Sequence, residues 1–403
     1  MEKERKLTQI SQLEHAKRKS MWVGSKKIQT TELYCINEDM TKMILTKIKF
    51  APAWYKILDE IIVNAIDQWV NYPKKVKQIK INFDTDTGVI TILNSGPSIG
   101  VYETTNLNGK KMYAPQLIAS EFLSGDNLGE DADDERITGG TNGAGLKLTN
   151  AFSEYLTITT LDTKTKKYYI QHFKDRLNII EKPIIRKAKA SEKDSFTQIE
   201  FLPCYKIFGY DEGYKPEFSQ DLEKLIITRT IQAYAYTNID VYYNDNKITI
   251  PEHCNNNFYN FSKMYILDQP DYSADSQKDK DEIDNIDDNQ SICSDDSSVK
   301  NQEYLSMASG DLLYIKLNSD TKELKKFPWD VCIGTSDGKF RQVSLINGIY
   351  VYGGGSHIKH IQNLIVSNLK TRVEKLIKKT KNKFNPNYII NNLFIFVKCS
   401  IVR

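Results

Sequence analysis

Two segments of this 403-residue chain hold residue types that phosphate chemistry needs. One is Asp59-Glu60-Ile61-Ile62-Val63-Asn64-Ala65-Ile66-Asp67. The other is Gly139-Gly140-Thr141-Asn142-Gly143-Ala144-Gly145-Leu146-Lys147. Glu60 and Asn64 stand one helical turn apart and share a face. Hydrolysis of a terminal phosphate needs an oriented water and a base to activate it. Glu60 suits that base. Asn64 offers an uncharged oxygen to Mg²⁺, an ion that bridges phosphate oxygens. A lone Glu-x-x-x-Asn is also the polar side of many amphipathic helices, so the pair gains weight only from the second segment.

That segment brings four glycines between Thr138 and Gly145. They let backbone N–H groups converge on phosphate oxygens. The helix expected after them adds the positive end of its dipole, and Lys147 adds a point charge. A plain flexible loop is the alternative. Two common templates fail. Gly140 and Gly145 have Walker spacing, but Leu146 follows, and Lys147 comes one position late. Gly143-Ala144-Gly145 begins a dinucleotide pattern, but Leu148 stands where its third glycine belongs. Between the segments, Asn94-Ser95-Gly96-Pro97-Ser98-Ile99 ends a strand. One amide and one glycine there can hold an adenine edge; alone, the stretch is an ordinary turn.

The elements that must position these groups follow from periodicity. Pro52 opens a helix in which Trp54, Ile57, Leu58, Ile61, Ile62, Ala65 and Ile66 recur at three- and four-residue spacing. Strands are expected over 78–83 and 88–93, with a turn at 84–87. A helix over 114–123 and a polar stretch over 124–136 precede the glycine loop, and a helix over 145–152 starts on it. Strands follow over 155–161, 167–173, 177–181 and 196–202, then a helix over 222–236. A hairpin joins 240–243 to 247–250 across Asn244-Asp245-Asn246. The first 250 residues are therefore α+β with a mostly antiparallel sheet. Beyond the insert, strands over 311–317, 329–335 and 342–346, a Gly353-Gly354-Gly355 turn, a helix over 357–379 and a strand over 392–401 make a second α/β domain.

Charge is uneven. Residues 268–303 hold twelve acidic residues against three lysines, leaving 52 basic and 40 acidic residues elsewhere. Such a segment buries too little apolar surface to order itself. The basic remainder suits a nucleic-acid partner, or is simply a solvated surface. Six scattered cysteines fit reduced thiols in the cytosol or nucleus. His357 and His360 lack the further ligands of a zinc site. With no run of 18 apolar residues and a charged N-terminus, neither a membrane span nor secretion is expected.

The order Glu-x-x-x-Asn, Asn-x-Gly, Gly-Gly-x-Asn-Gly-x-Gly-x-Lys resembles the GHKL ATPases. These include type II topoisomerases, ninety-kilodalton heat-shock chaperones, MutL proteins and histidine kinases. Residues 56–65 and 138–148 are similar to the eukaryotic-type topoisomerase II segments. Ser20-Met21-Trp22-Val23-Gly24-Ser25 is similar to that family's Tyr-Ile-Gly-Ser stretch. Asp337-Gly338-Lys339-Phe340-Arg341-Gln342-Val343-Ser344-Leu345-Ile346-Asn347-Gly348 and Gly353-Gly354-Gly355-Ser356-His357 resemble its transducer domain. The resemblance runs from about residue 14 to 401 outside the acidic insert. The short Trp-containing strap resembles topoisomerases of large DNA viruses.

The resemblance implies the N-terminal ATPase and transducer region of a type IIA topoisomerase. Its fold would be a GHKL (Bergerat) sandwich, a mixed sheet covered by helices, followed by the α/β transducer. Domains would be an arm over 1–25, the ATPase over 26–258, and the transducer over 259–403 with the disordered acidic insertion at 268–303. ATP and Mg²⁺ are the implied cofactors. Glu60 would activate water, and Asn64 would bind metal and phosphate. Asn94 would meet the adenine, with Asp67, Gly96 and Ile99 also at the nucleotide. Ser124, Gly125, Asp126 and Asn127 would line the ribose. Gly140, Thr141, Asn142, Gly143, Ala144, Gly145, Leu146 and Lys147 would wrap the phosphates. Lys375, Lys378, Lys379, Lys381 and Lys383 fall where the family's lysine loop touches double-stranded DNA, supplying charge for its backbone.

The implied partners are duplex DNA, a second copy that joins through the ATPase domain when ATP binds, and the rest of the topoisomerase chain, with no membrane. The implied compartment is nucleus or cytoplasm, or a viral factory. Three departures stand out. Ser98 replaces a usual glycine and Gly100 a usual proline. Thr141 replaces a frequent arginine. The family's Gln-Thr-Lys loop, metal-binding TOPRIM domain and cleavage tyrosine would lie beyond Arg403, which implies nucleotide binding with weak turnover. The alternatives are another GHKL ATPase, such as a MutL-like repair protein or chaperone, and a clamp that binds ATP without hydrolysing it.

Overall fold

The computed structural model of the chain describes residues 10–122, 124, 138–140, 143–266, 302–305, 312–317, 329–377 and 384–401. They form two compact units. The first runs to Ile250 and takes in Asn347–Ile349; the second comprises Pro251–Ile346 and Tyr350–Ile401.

The first unit opens with α1 (Gln12–Arg18), capped by the Ser11 hydroxyl accepting from Glu14 N. Strands β1 (Gln29–Ile36) and β2 (Met43–Phe50) then pair as a hairpin that periodicity had not indicated. Helix α2 (Pro52–Asn71) begins on Pro52, whose fixed φ suits a first helical position. Its apolar stripe is buried as the spacing predicts: Trp54, Ile57, Leu58, Ile61, Ile62 and Ile66 are each at most 2% exposed. Each such large side chain contributes roughly 1.5–3 kcal/mol on burial.

The strands that follow are β3 (Gln78–Phe83), β4 (Ile90–Ser95), and the small pair β5 (Glu103–Thr105) and β6 (Lys111–Tyr113). Helices α3 (Ala114–Ser120) and α4 (Gly145–Ala151) flank the glycine loop. Then come β7 (Ser153–Asp162), β8 (Lys167–Lys174), β9 (Ile179–Ile180), β10 (Ile184–Lys187), β11 (Phe196–Pro203), α5 (Ser219–Thr237), β12 (Asp240–Tyr243) and β13 (Asn246–Lys247). The nine-stranded sheet has the order β10-β8-β7-β11-β4-β3-β12-β13, with β9 beside β8. Its pairings are antiparallel except β12 on β3. Helices α2, α4 and α5 pack on the sheet through β4, β7 and β12.

Two expectations shift. The strand expected over 177–181 shrinks to β9, because Asp175, Arg176 and Leu177 take positive φ and reverse the chain. Strand β13 is only Asn246–Lys247, and it follows a two-residue hairpin turn in which Asn244 and Asp245 both adopt the left-handed conformation.

The second unit contains α6 (Asn257–Lys263), β14 (Gln302–Leu305), β15 (Leu313–Leu317), β16 (Trp329–Thr335), β17 (Arg341–Ile346), Tyr350 of β18 (Ile349–Tyr350), α7 (Ser356–Ile377), α8 (Asn387–Ile390) and β19 (Leu393–Cys399). Its sheet order is β14-β15-β16-β19-β17-β18. Strands β17 and β19 are parallel, which requires a crossover, and α7 supplies it. Ile358 and Ile361 of α7 bury against Val331, Ile346, Ile395 and Val397. The unit begins earlier than the expected residue 259. Tyr265, just after α6, sets its ring edgewise on Phe394 and Phe396, and Lys398 lies over Phe258. Gln302 and Glu303, expected inside the acidic insertion, are in β14. The rest of that insertion lies outside the described residues.

Candidate active site

Helix α2, the ends of β4 and β11, the glycine loop and α4 enclose a cavity of about 650 Å³ in the first unit. That lies in the usual range for small-molecule sites. The alternation of the sheet decides which polar groups reach it. Ile90, Ile92 and Asn94 lie on one buried face of β4, and Thr197, Ile199 and Phe201 on that of β11. Asn94 and Thr197 are cross-strand partners, so one amide and one hydroxyl continue an otherwise apolar face into the cavity. Asn94 Nδ2 donates to Ser95 O at 3.3 Å, which leaves Oδ1 as its acceptor. Thr197 Oγ1 accepts from Ile99 N at 3.2 Å and so fixes the turn beside it. Gly96 has φ +94, and a Cβ there would lie 2.9 Å from Val76 Cγ2, so this turn requires glycine.

Glu60 and Asn64 both line the cavity. The Glu60 side chain is 16% exposed and its carboxylate meets the Lys56 ammonium one turn earlier. Helix α4 is held against α2 by the Thr149 hydroxyl, which donates to Ile57 O at 2.9 Å. This brings Gly145 onto Glu60: a Cβ at Gly145 would lie 3.0 Å from Glu60 Cδ and closer still to Oε2. Asp67, two turns after Glu60, is 8% exposed. Its Oδ1 accepts from Gly139 N at 2.7 Å and its Oδ2 from Gly140 N at 2.8 Å. The carboxylate thus pins the start of the glycine loop to α2.

Lys147 is 2% exposed and donates to the carbonyls of Ser124 and Gly143. Burial lowers its pKa from 10.5 to about 8, with Glu121 opposing the shift. Gly143, Ala144 and Leu146 line the same cavity, and Ser124 closes its side. Gly125, Asp126, Asn127, Thr141 and Asn142 lie outside the described residues. In the second unit, Lys375 is exposed in the last turn of α7, and Lys378, Lys379, Lys381 and Lys383 lie outside the described residues.

Several groups at the cavity were not picked out from the sequence. Thr197 shared the parity of Ile199 and Phe201, a signal available in the alternation. Gln68 follows Asp67 on α2 and donates to Pro97 O at 2.6 Å, tying the helix to the turn after β4. Met21 and Trp22 also line the cavity, and the Trp22 indole N–H donates to His15 Nδ1 at 3.0 Å. No local pattern announced those contacts.

Comparison with known proteins places this arrangement. A family model described as DNA gyrase B matches residues 294–403. DNA topoisomerase 2 of Candida albicans is 29% identical over 398 residues, covering 97% of this chain and 24% of that protein. DNA topoisomerase 2 of African swine fever virus (isolate Tick/South Africa/Pretoriuskop Pr4/1996) is 31% identical over 402 residues, covering 96% of this chain and 29% of that protein. The crystal structure of the ATPase region of Saccharomyces cerevisiae topoisomerase II superposes with a TM-score of 0.72 at 26% identity, over 98% of this chain and 86% of that one. Over nearly its whole length this chain is similar to the ATPase region of type II DNA topoisomerases. It spans about a quarter of the curated relatives' length, 24% and 29% in the two cases above, and corresponds to their ATPase region. The ATPase and transducer domains of Balamuthia mandrillaris topoisomerase II share the fold, with a TM-score of 0.74 at 23% identity. The two units are accordingly the GHKL ATPase and transducer folds of type II topoisomerases.

Among the described residues no helix is long and apolar enough to cross a membrane. No group of three or more His, Cys, Asp or Glu side chains there could hold a metal. Mg²⁺ needs no such cage. It keeps several waters and binds through one or two protein oxygens plus substrate phosphates. Asn64 fits that role, exposed on the cavity side of α2 beside Glu60.

Proposed function

We propose that this chain binds ATP in the α2–glycine-loop cavity and hydrolyses it, as the ATP-driven clamp of a type II DNA topoisomerase. The observation that carries the proposal is the Glu60 carboxylate seated on Gly145, in one cavity with Asn64 and Asn94. The adenine amino group would donate to Asn94 Oδ1. Glycine-loop amides and Lys147 would face the phosphates, with Ser124 and the neighbouring Gly125, Asp126 and Asn127 on the ribose side. Asn64 would hold Mg²⁺, which neutralises phosphate charge when bound. Glu60 would accept the proton of the attacking water. Asp67 would support the loop, since each of its oxygens accepts a loop amide.

In the full-length enzyme, nucleotide would join two ATPase domains around a DNA duplex, and hydrolysis would release them. Nucleus or cytoplasm is the compartment in which it would act. The transducer fold of the second unit favours this reading over a MutL-like protein, a chaperone or a non-hydrolysing clamp. The test is titration with Mg²⁺ and a non-hydrolysable ATP analogue, read by calorimetry for affinity and by sedimentation for assembly. Wild type should bind and Asn64→Ala should lose the Mg²⁺-dependent part of the affinity. Equal binding by both, with or without Mg²⁺, would refute the assignment of Asn64.

A further inference from the structure

We infer that Arg229 is a positioning residue of this site, fixing with one guanidinium both the helix that carries Glu60 and the turn behind the glycine loop. The inference rests on the ATPase reading and deepens it. Arg229 lies in α5 and is fully buried. Its Nε donates to Asp59 Oδ1 at 2.6 Å, and Asp59 immediately precedes Glu60 on α2. Its Nη2 donates to Gly348 O at 2.6 Å.

Gly348 belongs to a tight turn in which Asn347 and Gly348 both have positive φ, 50° and 75°. That turn leaves no room around it. A Cβ at Gly348 would lie 2.6 Å from Ile66 Cγ2 of α2, and a Cβ at Gly139 would lie 2.7 Å from Asn347 O. Gly139 is the same residue whose N–H is held by Asp67. The next residue of the turn, Ile349, lines the cavity. The glycine loop is therefore held between Asp67 on one side and a turn anchored by Arg229 on the other.

Stability does not account for the pair. Burying two charges costs desolvation that their attraction often fails to offset, and apolar replacements commonly fold as well. Arg229 Nη1 is buried with no hydrogen-bond partner, a further cost. What the guanidinium supplies is geometry, since its rigid planar fork holds two acceptors in a fixed relation that a lysine's rotatable ammonium does not impose.

The test compares wild type, Arg229→Lys and the double variant Asp59→Leu/Arg229→Met, which removes both charges. Thermal unfolding checks that each variant folds. Hydrogen exchange at Gly139 and Gly140 reads the loop, and steady-state ATP hydrolysis reads kcat and KM. We expect exchange at both amides to accelerate about tenfold or more. We expect kcat to fall on the order of 10- to 100-fold, with KM changing much less, because small misplacements cost turnover before binding. Wild-type exchange and wild-type kcat in a folded double variant would overturn the inference. If the double variant does not fold, the same wild-type values in Arg229→Lys would overturn it. The exchange arm does not depend on nucleotide, so a wild-type chain that binds no ATP analogue would refute the ATPase reading and leave the positioning of the loop to be judged by exchange alone.

Discussion

Glu60 and Gly145 are fitted to each other: the carboxylate on α2 occupies the space in which any side chain at the head of α4 would begin. Gly145→Ala should therefore push Glu60 away from its place. In a helix, glycine to alanine ordinarily stabilises by about 0.5–1 kcal/mol. A folded variant whose kcat falls on the order of tenfold or more, with KM nearly unchanged, is the expected outcome. Steady-state kinetics with thermal unfolding in parallel check it. Unchanged kcat would show that Glu60 needs no such fit.

Asp67 bridges two adjacent loop amides, so its charge and its shape both matter. Asp67→Asn keeps the size but turns one acceptor into a donor facing an N–H. Charge-assisted hydrogen bonds of this kind contribute about 1.5–3 kcal/mol. Affinity for a non-hydrolysable ATP analogue should weaken roughly 10- to 100-fold. Calorimetric titration reads the change, and wild-type affinity would mean that the loop is held without Asp67.

Lys147 gives the site a pH signature. Burial depresses its pKa to about 8 in the free protein, and a bound phosphate would raise it again. Nucleotide binding near pH 8–9 should then take up a proton, and affinity should fall as pH climbs from about 8 towards 10.5. For folding, the sign follows from the same depressed value. The unfolded chain holds the Lys147 proton longer, so this group's contribution to stability rises with pH across that window and is flat below it. Calorimetry in buffers of different ionisation enthalpy measures the uptake; proton release would contradict the placement of Lys147 at the phosphates.

Lys375 in the last turn of α7 and the four lysines that follow it in sequence should carry a salt-dependent share of duplex binding. Alanine at Lys375, Lys378, Lys379, Lys381 and Lys383 should flatten the dependence of log affinity on log salt by about 0.9 for each phosphate no longer neutralised. Fluorescence anisotropy over a salt series measures it. A slope identical to wild type would move the DNA-binding surface elsewhere.

Much of this site was legible from residue order. The apolar period of 52–66 placed α2, and with it the shared face of Glu60 and Asn64. The glycine run marked a loop that fits no P-loop template. What sequence did not show depends on distant partners. That Asp67 also holds the loop was not legible, because nothing local indicates that its two oxygens accept amides 72 and 73 residues away. The Asp59–Arg229 pair spans 170 residues, and the Asn347-Gly348 turn joins the first unit from a stretch otherwise in the second. The hairpin of β1 and β2 escaped because its burial is irregular, without the clean alternation of β3 and β4.

The account turns on Glu60 as the base. The most direct measurement is ATP hydrolysis by Glu60→Gln alongside binding of a non-hydrolysable analogue to the same protein. Glutamine keeps the shape against Gly145 but cannot accept the water's proton. The account predicts near wild-type affinity with turnover reduced on the order of 10²- to 10⁴-fold. Wild-type turnover in a variant that binds nucleotide normally would contradict it.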